Sequence, residues 1–107
     1  SDLYDVGDKI EWRGVKGGAG FESRAAILRL RSRDDKGKLG DALGVIRVDS
    51  GKSCAVAIID AGANPGANDM ARRAADEGAS KSCAELAPVI VGVETERARN
   101  HLDWSRQ

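Results

Sequence analysis

The sequence predicts an α+β fold: an antiparallel sheet of four to five strands with one main helix, at about residues 65–78, packed on one face. Three observations carry this. Four strand-length segments with alternating or wholly apolar patterning follow one another before any helical period. Short connections rich in Gly, Asp and Ser separate them. A single strong helical period comes next, its apolar stripe built of small residues. Consecutive strands ahead of a helix favour a meander over a doubly wound parallel sheet.

The first strand is Asp5–Arg13, DVGDKIEWR. Ile10 and Trp12 share one face and Lys9, Glu11 and Arg13 the other, which reads as a strand with one wet side and Trp12 in the core. Gly14–Gly20, GVKGGAG, holds four glycines in seven residues and reads as a flexible loop. It is not a phosphate-binding P-loop, because no Gly-Lys-Ser/Thr closes it and a strand follows rather than a helix. The second strand is Phe21–Arg33, with Ala26, Leu28 and Leu30 on one face and Ile27, Arg29, Arg31 and Arg33 on the other. Asp34–Asp41 is a charged turn region and Ala42–Val48 the third strand. Asp49-Ser50-Gly51 is a tight hairpin connection with Gly51 at positive φ. The Gly-Lys-Ser run at 51–53 belongs to that turn.

Ser53–Asp60 is the fourth strand. Cys54, Val56 and Ile58 share one face and Ala55, Ala57 and Ile59 the other. Both faces are apolar, so this strand is central and covered on both sides. Asn64 is expected to cap the helix, with Pro65 at its first position. Ala67, Met70, Ala71, Ala74 and Ala75 then form the narrow stripe, and Gly78 stops the helix. Val89–Val93 is a candidate fifth strand. Thr95–Trp104 reads as a helical or frayed tail in which Ala98 and Leu102 share a face.

The chain of 107 residues is one domain by size, residues 1–107. It carries 17 basic and 17 acidic side chains for a formal net charge of zero, which argues against a general nucleic-acid or anionic-membrane binder. No apolar run approaches the roughly 20 residues that span a bilayer. The first residue is Ser1, which fits either a trimmed terminus or removal of an export signal.

The chain has two cysteines, Cys54 and Cys83. A helix running back across the fourth strand would bring them near each other as a disulfide. Free buried thiols are the alternative, and a metal the weakest, since structural zinc wants four ligands and His101 is the one histidine. No Cys-x-x-Cys redox pair exists. A disulfide would imply an oxidising compartment.

The segments YDVGDKIEWRG, AAILRLRS and SCAVAIIDAGANPGANDMARRAAD, followed by a later cysteine, resemble small exported bacterial proteins of unknown function that pair an EWRG…AAILR segment with C.VA..DA..NP.AN..AR..AD…C. The resemblance spans roughly Tyr4 to Cys83. It implies export to the periplasm or beyond the cell and a Cys54–Cys83 pairing, and supplies no activity.

Two groups are candidate sites. Arg29, Arg31, Arg33 and Arg47 form a possible anion or ligand surface, with the plainer reading a solvated sheet face balanced by acids such as Asp34, Asp35 and Asp49. Asp60, Asn64, Asn68 and Asp69 crowd the turn between the fourth strand and the helix, a possible ligand site or simply turn and cap chemistry. His101, Asp103 and Ser105 alternate near the end and make a poor hydrolytic triad. No catalytic signature, cofactor motif or metal-ligand spacing stands out. The expectation is a non-enzymatic exported domain that binds an envelope protein or a small ligand, with exposed aromatics such as Trp12 or Trp104 as first contacts. The alternatives are a polyanion binder using the arginines and an enzyme with a site near Asp60–Asp69.

Overall fold

A computed structural model of the chain describes residues 3–17, 20–49 and 51–105. Strands β1 (Leu3–Gly17), β2 (Gly20–Arg33), β3 (Leu39–Asp49) and β4 (Lys52–Asp60) form an antiparallel meander. Helix α1 (Ala67–Ala79) follows, then a 3-10 turn (Cys83–Glu85), strand β5 (Val89–Ile90) and helix α2 (Glu96–Ser105). The sheet order is β1-β2-β3-β4-β5. The fold is α+β, as the patterning predicts, with two refinements: β5 runs parallel to β4, and a second helix covers part of the opposite face.

The parallel edge follows from connectivity. α1 carries the chain back along the sheet, so β5 re-enters in the direction of β4, pairing Ala57 with Val89 and Ile58 with Ile90. β5 is two residues long rather than the five expected, because Gly92 takes a φ of 81° and turns the chain toward α2.

The glycine-rich segment is not a loop. β1 runs through Gly14, Val15 and Lys16 to Gly17 and pairs with β2 out to Gly17↔Gly20. A Cβ on Gly14 would sit against the Glu22 backbone, so the glycine permits this close pairing. Residues 20–24 of β2 lie beyond its pairing with β3, which ends at Ala25↔Arg47. The hairpin therefore projects as a two-stranded arm. Fifteen residues at about 3.3 Å each span about 50 Å, which accounts for the 49 Å long axis.

α1 lies against β2, β3 and β4 through Ala67, Ala71, Ala75, Gly78 and Ala79. The facing core is Ala25, Ile27, Leu43, Val45, Val56, Ala57 and Ile59. The start of α1 differs from expectation. Gly66, at φ 80°, precedes the helix, and Asn64 and Pro65 lie outside it. Asn64 is held elsewhere: its Nδ2 donates to the Asp60 carbonyl at 2.8 Å and its Oδ1 accepts from Val93 N–H at 2.9 Å. The helix also runs through Gly78 to Ala79, because Gly78 packs against Val56 rather than ending the turn.

A bulge decides where Cys54 points. Val45 pairs with Ala57 and Ile46 with Ala55, leaving Val56 as the extra residue of β4. The simple alternation that groups Cys54 and Val56 with Ile58 is broken there. Cys54 pairs with Arg47 on the α1 side, Val56 joins the α1 core, and Ile58 packs under α2 with Ala42 and Ala98. Cys54 and Cys83 form a disulfide with their Cα atoms 5.8 Å apart across a sequence separation of 29.

Candidate functional site

The four candidate arginines do not share one surface. Arg47 is buried on the α1 side and is clamped by carbonyls: Nε donates to Lys81 at 2.7 Å, and Nη1 to Arg24 at 3.1 Å and to Val48. It ties β2, β3 and the segment after α1 together beside the disulfide. Arg29 and Arg31 sit at the far end of the same face, and both hold Asp41, at 3.2 and 3.0 Å. Asp41 is not among the acids expected to balance the arginines, and the two guanidiniums hold its carboxyl below the usual carboxylate range, Arg31 contributing most. Arg29 also donates to Asn68 Oδ1 at 3.4 Å, and Arg33 to the Gly37 carbonyl at 2.8 Å. Asp34 organises its own turn, accepting from Lys36 and Lys38 N–H.

An open cavity of about 440 Å³ lies among Arg29, Arg31, Leu39, Gly40, Asp41, Ala61 and Gly62. The structure thus links two residues of the first group, Arg29 and Arg31, with one of the second, Asn68, which Arg29 reaches beside the cavity. Asp69 stays exposed and meets Arg72 at 3.5 Å.

Asp60 and Asn64 are framework rather than site. The buried Asp60 accepts at Oδ1 from Gly62 and Ala63 N–H, and at Oδ2 from the Thr95 hydroxyl at 2.7 Å, with Arg97 at 3.9 Å. Thr95 in turn accepts from Ala98 N–H at 3.1 Å, capping α2. Arg97 Nη2 donates to the Lys38 carbonyl at 2.8 Å, and Gly40 leaves the room, since a Cβ there would stand 2.5 Å from the guanidinium carbon. Beneath α2, Ser32 Oγ lies 3.0 Å from His101 Nε2. A serine on a histidine nitrogen has the form of a nucleophile–base pair, but Ser32 is 1% exposed and cannot meet a substrate. Burial, then the Arg97 charge, lowers the pKa of His101. Among the described residues no three His, Cys, Asp or Glu side chains group as metal ligands, and no helix is long and apolar enough to cross a membrane.

The face that stands out was assigned to the core by its sequence. Trp12 is 51% exposed and Ile10 44%. The expected wet side of β1 is the one that α1 overhangs. Glu11 takes a two-point contact from Arg72 at 2.9 and 3.1 Å, and Arg13 gives one to Asp76 at 3.1 and 2.8 Å. These pairs hold the Glu11 and Asp76 carboxyls below their usual range. With its charges spent on the helix, β1 turns Ile10 and Trp12 to the opposite face. There the register aligns Trp12 with Ala26 and Ile46, and Ile10 with Leu28 and Gly44. α2 lies over β4 and β5 and reaches Ser32 of β2 and Ala42 of β3; toward β1, Ala26 is buried, Leu28 and Ile46 are half-buried, and Ile10 and Trp12 are exposed. The Trp104 side chain and Ser50 of the β3–β4 turn lie outside the described residues.

No family model, no curated protein and no solved structure matches the chain.

Proposed function

We propose that the chain is a non-enzymatic, exported domain that docks a partner protein on the bare apolar face of β1–β3. The single observation behind this is the exposure of Trp12 and Ile10, aligned in register with the half-buried Ile46 and Leu28 on the part of the face away from β4 and β5. Contiguous exposed apolar area with an aromatic anchor is the usual character of a protein interface. The disulfide supports a periplasmic or secreted location, where the partner would be an envelope protein.

A photo-crosslinking residue at position 12, with one at Arg73 on the outer side of α1 as control, tests this in intact cells. Adducts with an envelope protein from position 12 alone are the expected result. Equal labelling from both positions, or none from position 12, would remove the reading.

A second reading rests on the cavity lined by Arg29 and Arg31, which suits a small carboxylate or phosphate rather than a polymer. Asp41 divides the two arginines and Arg47 is buried, so no continuous basic track for nucleic acid forms. Isothermal titration with citrate and phosphate, repeated on Arg29→Ala, separates it from the first.

A further inference from the structure

The cavity lined by Arg29 and Arg31 holds a carboxylate as well as cations. Asp41 lines it too, and its side chain is 20% exposed. Each of its oxygens accepts one guanidinium bond, Oδ2 from Arg29 and Oδ1 from Arg31. A carboxylate oxygen has two lone pairs, so each keeps an acceptor site open toward the cavity. The donors are not exhausted either. A guanidinium carries more N–H groups than two bonds use, and Arg29 commits one on Nη1 to Asp41 and one on Nη2 to Asn68. The two arginines keep Asp41 ionised, so an anion seated on Arg29 lies beside a like charge, which repels it.

We infer, resting on the small-anion reading of this cavity, that its ligand is an α-amino acid in zwitterionic form, the carboxylate on Arg29 beside Arg31 and the ammonium on Asp41. A cationic group one carbon from the ligand carboxylate turns the repulsion from Asp41 into a charge-assisted hydrogen bond. A plain carboxylate or phosphate keeps the repulsion. Arg29 also borders a second cavity, of about 310 Å³, where the buried Ile27 and Leu43 lie. An aliphatic side chain on the same ligand carbon finds apolar surface there, so leucine is the fitting probe.

Amide NMR titration of the full oxidised chain tests this with leucine and its two halves: isocaproate, which lacks the ammonium, and isopentylamine, which lacks the carboxylate. Leucine is expected to move the Gly40, Ala61 and Gly62 signals and to bind at least about tenfold more tightly than either half, the worth of one charge-assisted contact. Asp41→Asn, close to aspartate in shape, should abolish that preference, weakening leucine and strengthening isocaproate. Thermal unfolding checks that this variant keeps the fold, and the three-ligand comparison on the unsubstituted chain decides the matter without it. Arg29→Ala should weaken leucine and isocaproate together. If citrate or isocaproate binds through Arg29 and leucine binds no tighter, the zwitterion falls and the small-anion reading stands. If none of leucine, isocaproate, citrate and phosphate moves these signals, both fall. A leucine preference that survives Asp41→Asn would also overturn the inference, since the ammonium would then be held elsewhere.

Discussion

The two faces of the sheet solve burial differently. On the α1 side, alanines let the helix lie close, and the strands answer with Ile27, Leu43, Val45 and Ile59, all buried. On the α2 side the helix is shorter, and it covers β4, β5 and the adjoining ends of β2 and β3 around Ala42, Ile58 and Ala98 with a polar layer of Asp60, Arg97, His101 and Ser32. Toward β1 that side is apolar too, yet Ile10 and Trp12 are exposed. An apolar strand face says that something covers it, and does not say whether the cover is in the same chain.

That contrast can be broken or sharpened by substitution. Ile59→Ala on the closed face removes a fully buried side chain and should cost about 2–5 kcal/mol, read by urea unfolding at constant m-value. Reducing the disulfide, or Cys54→Ser with Cys83→Ser, should cost about 3–4 kcal/mol, since the bridge closes a loop of 29 residues; thermal unfolding should fall by roughly 15 °C. A smaller effect is expected from pH on the half-covered face. His101 has its pKa lowered from 6.5 by burial, so the unfolded chain binds the proton more readily than the folded one. Stability should be full above about pH 6.5 and decline as pH falls below it. His101→Gln should flatten that decline between pH 7 and 5.5, where the chain has no other histidine to titrate. The lowered carboxyls of Glu11, Asp41 and Asp76 act in a separate, more acidic window. The smallest change in stability, within about 0.5 kcal/mol, is expected for Trp12→Ser on the bare face, measured in the dilute chain. A loss there as large as for Ile59→Ala would mean the face is closed within the chain after all.

Much of the fold was legible in the residues. The period-two patterns located four strands, the alanine stripe located α1, and Ala98 with Leu102 pointed to the buried side of α2. Three things were hidden for physical reasons. The glycines at 14 and 17 signal a loop by composition, but cross-strand pairing overrides propensity. The polarity of β1 inverts because Glu11 and Arg13 are satisfied by Arg72 and Asp76, 61 and 63 positions away. No local pattern carries that. The burial of Arg47 depends on three carbonyls brought together by the fold. Of the candidate site, the convergence of Arg29 with Asn68 has no sequence signal, because 39 residues separate them.

The extra residue at Val56 also acts as a parity check on the sheet. Side chains on a strand alternate, so each one-residue slip exchanges the two sides. Cys54 reaches the side of Cys83 only when β4 carries its single irregularity and is in register with β3. A chain that zips β4 without the bulge presents the Cys54 thiol to α2, where no thiol waits. In an oxidising compartment the covalent bond then closes only on correctly registered molecules and leaves misregistered ones open to reshuffling. Oxidation would thereby act as a check on the register of the β3–β4 pair.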